Sequence, residues 1–383
     1  MNLHLDSFLH LADSIYSNHI KEWQNKGKKV AGYYCTYIPE ELLHAADLLP
    51  FRIRATGNQD TDLADIYMVR FTCSFVRATL DLALKRSYDF LDGFLVCNSC
   101  DHSRRMFELF SLKVFNQERV TKKVPQFYLA LPHTITKEGF EWYKQEIQEL
   151  KSELEKEFNL DEISQESLKE AIEIYNQNRV LLREIHKMRI DKSPKLTGSE
   201  MLQIQMANSS VRKDFANQEL TRIKQILYDR EPVDVTNKKR ILLVGSVVDN
   251  IEFTQLLENS GAFIASDFLC FGTRNMMDDV KLEKGEDPLD AITKRLYYRI
   301  SCPRMMDDHI RRLNFLKDEI KRVKIEGVLL QRINNCDLHG CDNMLFSHEL
   351  KELEIPVLNI DREFYQSDTT RLQTRIEAFL EMI

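Results

Sequence analysis

Along the chain, short apolar runs alternate with longer stretches in which apolar side chains recur every three or four positions. "KKVAGYYC" (28–35) is a buried-strand pattern that ends at Cys35. "PEELLHAADLLPFRI" (39–53) predicts a helix opened by Pro39, with acidic residues in its first turn, and then a second strand. "CSFVRATLDLALKRSYDF" (73–90) carries Phe75, Leu80, Leu82 and Leu84 in a helical rhythm that begins at Cys73, while "LDGFLVC" (91–97) and "VPQFYLALP" (124–132) are further apolar strands. Residues 8–26 read as a surface helix ahead of them. Strand and helix in alternation predict a parallel, doubly wound sheet.

From about 138 to 230 the pattern changes to long, charged, helix-forming sequence such as "EWYKQEIQELKSELEKEFNLDEI", with opposite charges three or four residues apart. A solvated helical connector is the expectation, with a lid between domains as a further role. The strand pattern then restarts in the image of the first half. "KKRILLVGS" (238–246) matches "KKVAGYYC", "GAFIASDFLC" (261–270) takes the place of the second strand, "EGVLLQRINNCD" (326–337) matches "DGFLVCNSCD" (92–101), and "IPVLNIDRE" (355–363) matches "VPQFYLALP". The order acidic residue, Gly, apolar run, Asn, Cys, Asp recurs in both halves, and internal similarity of this kind decides the architecture. The expected fold is α/β: two related doubly wound, flavodoxin- or Rossmann-like domains joined by a helical segment. The expected divisions are 1–137, an N-terminal helix plus the first α/β domain; 138–235, the helical connector; and 236–383, the second α/β domain.

Composition narrows the function classes. With 43% hydrophobic and 30% charged residues the chain reads as soluble and globular, and no apolar run of about 18 residues exists to cross a bilayer. The amphipathic, partly acidic N-terminus lacks the pattern of a signal peptide, so a cytoplasmic protein is expected. A net charge of -7 argues against a nucleic-acid partner. Eight cysteines in a cytosolic chain are expected to be metal ligands, redox groups or buried apolar fillers rather than disulfides. Neither G-x-x-x-x-G-K-[ST] nor G-x-G-x-x-G occurs, so this chain has no sequence device for holding a nucleotide, and any ATP hydrolysis falls to a partner.

In open parallel sheets functional residues gather where strands end at their carboxyl termini. Cys35, Cys97, Cys100, Cys270 and Cys336 follow strands, Cys73 opens a helix, Cys302 lies in "ISCPRMMDDH", and Cys341 follows Cys336. Scattered cysteines on one rim of two facing domains suit an iron-sulfur cluster assembled by the tertiary fold. Helix N-termini near Cys73 and Cys100, together with Arg77, Arg104 and Arg105, would favour thiolates there. Spacing alone leaves other readings open: core cysteines, a Cys97/Cys100 dithiol, or a zinc held by Cys97, Cys100, Cys336 and Cys341. His44, His102, His133, His309 and His339 are each a possible ligand, proton carrier or structural histidine.

The succession "GYYCTYIPEELLHAADLLPFRI", "FTCSFVRATLDLAL", "YDFLDGFLVCNSCDHSRR", "SDFLCFGTR", "SCPRMMDDH", "GVLLQRINNCD" and "LQTRIEAFLEMI" resembles the iron-sulfur subunits of the 2-hydroxyacyl-CoA dehydratase and benzoyl-CoA reductase family. The resemblance covers almost the whole chain and implies a [4Fe-4S] cluster held at Cys73, Cys100 and Cys336. One branch of the family carries an [8Fe-9S] double cubane on six cysteines, and all six corresponding places are cysteine here: Cys35, Cys73, Cys100, Cys270, Cys302 and Cys336. The resemblance also implies a separate ATP-hydrolysing iron-sulfur activator, an identical or related partner chain, an anaerobic setting, and an acyl-CoA or small unsaturated substrate. His102, Glu41 and His309 are position-based candidates for proton donors, and Arg274 for pairing with cluster sulfides or an anionic substrate. Cys97 and Cys341 fall outside the six. "INNCD" keeps the Asn, Cys and Asp of the first half without a counterpart of Cys97, which separates Cys97 from Cys100.

Overall fold

The computed structural model describes residues 3–115, 122–364 and 369–383. Two four-stranded, all-parallel sheets carry the chain, each flanked by helices. The first joins β1 (Val30–Tyr33), β2 (Leu49–Arg52), β3 (Gly93–Cys97) and β4 (Gln126–Leu129) in the order β2-β1-β3-β4. The second joins β5 (Lys239–Gly245), β6 (Ala262–Phe268), β7 (Gly327–Ile333) and β8 (Val357–Arg362) in the order β6-β5-β7-β8. The repeat read from the sequence is therefore a repeat of topology. Strands β1, β2 and β3 are buried along their whole length, as parallel strands covered on both faces must be.

The recurring acid-Gly pair has one physical explanation in both halves. Asp92 Oδ2 accepts a hydrogen bond from the backbone N–H of Val30 at 2.8 Å, and Glu326 Oε2 accepts one from Arg240 N–H, also at 2.8 Å. Each carboxylate thus satisfies the backbone of the neighbouring strand where the ladder begins. The glycine that follows lies under an aromatic ring: a Cβ on Gly93 would stand 2.7 Å from the Phe158 ring, and one on Gly327 2.7 Å from the Phe379 ring. A side chain at either place would lift the covering helix off its sheet.

Residues 8–26 form two helices rather than one, Leu3–Asp13 and Asn18–Asn25, because Ser17 takes an extended conformation and its hydroxyl caps Ile20 N–H. The first of them is not a simple surface helix. Phe8, Leu9 and Ala12 are buried in the core cluster that also holds Ile241, Leu243 and Ile264 of β5 and β6. The charged middle of the chain forms helices Lys137–Phe158, Gln165–Ile190, Gly198–Asn208 and Lys213–Asp229. Most of their charges face outward, with Arg179, Arg189 and Lys213 as buried exceptions, while one apolar stripe is buried. Tyr143, Ile147, Leu150 and Leu154 share a cluster with Tyr33 and Leu95 of the first sheet and with Ile292 and Tyr297 of helix Pro288–Tyr298.

The two halves are also tied by polar groups. Ala55 N–H donates to Asp249 Oδ2 at 2.6 Å, and the Thr56 hydroxyl donates to the Asp249 carbonyl at 3.2 Å. Burial pushes the Asp249 carboxyl up to about 6, although Ala55 N–H, Arg54 and Arg362 oppose the shift. A folded-state value above the unfolded one means that this group's contribution to stability is present below about pH 4 and is lost as pH rises through 6. Urea titrations of the wild type and of Asp249→Asn are therefore expected to diverge by about 3 kcal/mol between pH 4 and pH 7, with the flatter profile in the variant. Parallel profiles would show that Asp249 does not titrate in this window.

Candidate metal centre

Every one of the eight cysteines is a free thiol. Seven of them collect in two groups: the six named from the resemblance and, against Cys35 and near Cys302, Cys97. In the first group, Cys73, Cys100 and Cys336 each occupy the N-cap of a helix: Ser74–Leu84, Asp101–Leu109 and Asp337–Glu352. Cys100 closes a capping box, its Sγ accepting from Ser103 N–H at 3.4 Å while its own N–H donates to Ser103 Oγ at 3.1 Å. Cys73 and Cys336 are joined by a thiol hydrogen bond, which holds the Cys336 thiol low and drives the Cys73 thiol up. Burial, only partly offset by Ser103, raises Cys100 to about 11.

A glycine brings Cys336 its second partner. Gly245 ends β5 at φ +133°, and a Cβ there would sit 1.8 Å from the Gln331 carbonyl oxygen. Only glycine lets β5 pass so close to β7 before turning. The turn delivers Ser246, whose Oγ accepts from Ile333 N–H at 3.1 Å and hydrogen-bonds Cys336.

The second group is Cys35, past β1, with Cys270, past β6, and Cys302, in the loop after helix Pro288–Tyr298; all three lie within electrostatic reach of Arg274. Cys35 is held well below the ordinary thiol range, first by a hydrogen bond from Cys97 and then by Tyr37 N–H, Arg304 and Arg52, which outweigh burial. Cys97, fully buried at the end of β3, is driven up by the same contact. Cys341 is exposed. Cys97→Ala is expected to hold as much iron as the wild type while losing about 1 kcal/mol of stability for a small buried cavity. A halved iron content in that variant would place Cys97 among the ligands instead.

Among the described residues no three His, Cys, Asp or Glu side chains meet tightly enough to hold a single metal ion. A cubane takes its thiolates at separate iron corners, so its fit is judged by donor chemistry and charge. Both suit it at the second group. Arg52, Arg274, Arg299 and Arg304 are each 5% exposed or less, and among the described residues none has a carboxylate within 4.0 Å. Arg304 donates to the carbonyls of Pro132 and Leu131, Arg299 to Thr36, and Arg52 to the Cys270 carbonyl at 2.6 Å. Arg274 makes no hydrogen bond to any described residue, and Nε of Arg52, Arg274 and Arg304 and the Tyr37 hydroxyl are buried without partners there. Isolated buried charge is costly, so a ring of unpaired cations calls for an anionic occupant, and a thiolate-ligated cluster is one.

The arginines named from the sequence behave differently. Arg77 is committed to Asp65 at 2.7 Å, while Arg104 and Arg105 are exposed and paired with Asp101 and Glu108. Sequence reading missed Arg52, Arg299, Arg304 and Tyr37. "RISCPR" (299–304) does carry a trace of two of them, since it places arginines on both sides of a cysteine with no acid between.

The proton-donor candidates occupy three distinct settings. His102 Nδ1 accepts from Cys73 N–H at 3.3 Å, which leaves its proton on Nε2. Glu41 is buried against Arg179 at 2.8 Å; burial raises its carboxyl, but Arg179 and Arg295 outweigh that and keep it ionised. It lines a cavity of ≈ 20 Å³ with Thr36, Asn275 and Arg295, which is room for about one water. His309 spans two carboxylates, with Nδ1 3.0 Å from Asp342 and Nε2 2.7 Å from Glu349.

Residues 35–383 match the family described as 2-hydroxyglutaryl-CoA dehydratase, D-component. The chain is 24% identical over 364 residues to the (R)-phenyllactyl-CoA dehydratase beta subunit of Clostridium sporogenes, covering 95% of this chain and 94% of that one. It is 24% identical over 348 residues to a benzoyl-CoA reductase subunit of Thauera aromatica, with 88% and 87% covered. To the (R)-2-hydroxyglutaryl-CoA dehydratase beta subunit of Acidaminococcus fermentans it is 22% identical over 373 residues, 95% of each chain.

Proposed function

Because the chain belongs to the 2-hydroxyglutaryl-CoA dehydratase D-component family and is a dehydratase or reductase component, we propose that it is the cluster-bearing subunit of an activator-dependent, low-potential reductase or dehydratase. Its cluster is an [8Fe-9S] double cubane held by Cys35, Cys73, Cys100, Cys270, Cys302 and Cys336, three thiolates to each half. The observation that carries this reading is the second cysteine group with its four buried arginines and, among the described residues, no carboxylate against them. A single cubane at Cys73, Cys100 and Cys336 would give those arginines no anion.

Bound there, the cluster supplies low-potential one-electron chemistry. The chain's own residues shape what happens beside it. Cys73, Cys100 and Cys336 lean on helix N-termini, which favour negative charge. His102, with its proton on Nε2 and its ring on Cys73 N–H, is the proposed proton donor. Glu41 and His309 are ionised or paired, and so serve as acceptors or braces before they serve as acids. Arg274 is the group placed to pair with an anion at the second cysteine group. Electrons come from a separate ATP-hydrolysing iron-sulfur activator, in keeping with the absence of nucleotide-binding motifs, and the substrate is an acyl-CoA or a small unsaturated molecule.

Anaerobic purification of the full chain followed by iron and acid-labile sulfide analysis tests the reading. About eight irons per chain are expected. A colourless, iron-free protein after reconstitution overturns it. About four irons would favour a second reading, a single [4Fe-4S] subunit in a heterodimer; the relatives, each named as one subunit of its enzyme, favour a partner chain in either case.

A further inference from the structure

We propose that the two cysteine groups are electrostatically unequal, and that the arginine ring around Cys35, Cys270 and Cys302 makes that half the resting place of a delivered electron, with Arg274 setting its potential. The inference rests on the double-cubane reading and adds a direction to it.

Arg274 follows Cys270 by four residues in the short helix Thr273–Met276. Its guanidinium lies 5.3 Å from the centre of the Phe268 ring, is buried, and has no hydrogen bond or carboxylate among the described residues. The charges that bear on it are those of Cys302, Cys270, Tyr37 and Cys35. Arg52 stacks 3.6 Å from the Phe271 ring centre and donates to the Cys270 carbonyl. Arg299 and Arg304 lie against the Tyr37 ring, at 4.8 and 5.6 Å, and donate to neutral oxygens. No anionic side chain among the described residues pairs with any of the four.

The other half is built differently. Cys73, Cys100 and Cys336 receive three helix N-termini, each equivalent to about half a unit charge. Of its side-chain cations Arg77 is paired with Asp65 at 2.7 Å, while buried Arg362 donates only to neutral oxygens and is opposed at longer range by Asp249. Asp337, next to Cys336, adds negative charge that opposes, without reversing, the lowering of the Cys336 thiol by Cys73. Four whole, unpaired charges outweigh three helix ends and Arg362, which Asp249 and Asp337 in part oppose.

One-electron reduction by an external low-potential donor adds one negative charge and, without protonation, nothing else. Positive charge nearby stabilises the reduced form and raises its potential. The half at Cys35, Cys270 and Cys302 therefore takes the electron first and holds it, while the half at Cys73, Cys100 and Cys336 is the harder to reduce. Arg274, with no other commitment, is the arginine whose loss costs the fold least and the field most.

The test is a redox titration of the anaerobically reconstituted full chain with a titanium(III) chelate, followed by electron paramagnetic resonance, with neither substrate nor activator present. Arg274→Met is expected to keep its iron and to be reduced at a more negative potential: at the wild-type midpoint, its ratio of reduced to oxidised protein falls about tenfold. Arg274→Lys should restore most of the shift, and Arg104→Met, on the exposed side of the other half, should leave it unchanged. An iron-replete Arg274→Met with the wild-type midpoint overturns the inference, as does an equal shift in Arg104→Met. Should Arg274→Met lose iron, Arg299→Gln is titrated in its place, and an unshifted midpoint there counts equally against it. A wild-type chain with about four irons defeats the double-cubane reading itself, whereas about eight irons with no shift defeats only this inference.

Discussion

Serine in place of Cys35, Cys270 or Cys302 is expected to lower bound iron from about eight to about four per chain, or to none if the halves assemble cooperatively, because an alcohol does not ionise to replace a thiolate at iron. The measurement is iron and labile sulfide on anaerobically reconstituted variants, alongside Cys73→Ser, Cys100→Ser and Cys336→Ser. Both the single- and double-cubane readings predict loss from the latter three, so the discriminating result comes from the first three. Unchanged iron in all of Cys35→Ser, Cys270→Ser and Cys302→Ser would sink the double cubane and leave the arginine ring without the anion assigned to it. The Cys270 and Cys302 carbonyls also accept from arginines, Arg52 Nη1 at 2.6 Å and Arg312 Nη1 at 3.3 Å, so Cys35→Ser is the variant freest of that second role.

Asp342→Ala is expected to destabilise the protein by about 3–5 kcal/mol, read as a lower urea midpoint, because it strips the partner from a buried arginine. Asp342 receives Arg312 Nε at 3.1 Å and Nη2 at 2.7 Å. Arg312 Nη1 also donates to Ser301 Oγ at 3.0 Å and to the Met305 carbonyl at 2.9 Å. This one guanidinium therefore ties helix Asp337–Glu352 to the loop that carries Cys302. Without Asp342 it is a charge left uncompensated among buried groups, and His309 loses one of its two carboxylates. A double variant, Asp342→Ala with Arg312→Met, should recover much of the loss, since removing both charges removes the desolvation cost. A single variant within about 1 kcal/mol of the wild type would show that the pair is better solvated than its burial implies.

The proton-donor candidates illustrate what a residue's position in the sequence conveys and what it omits. His102 stands two residues past Cys100, and its ring does reach the cysteine group, though through Cys73 N–H. His309 stands seven residues past Cys302, yet its ring turns away to Asp342 and Glu349. Proximity along a helix fixes a Cα to within a turn, whereas the direction of an imidazole depends on which carboxylates other helices bring. Arg77 behaves likewise: it begins the second turn of the helix that Cys73 opens, but Asp65, from the preceding loop, claims it.

By itself the sequence determined the two sheets, the matching succession of strands that builds them, the acid-Gly start of β3 and β7, and the expectation that cysteines gather where strands end. All of these follow from local apolar runs and from the chain geometry that places the carboxyl ends of parallel strands on one rim. The tertiary structure alone decided which buried arginines stand around Cys35, Cys270 and Cys302. Three of the four arginines are held by backbone carbonyls from distant parts of the chain: Arg52 by Cys270, Arg299 by Thr36, Arg304 by Pro132. A backbone carbonyl is the same in every residue, so no pattern of side chains announces that partnership; only folding the two halves face to face creates it.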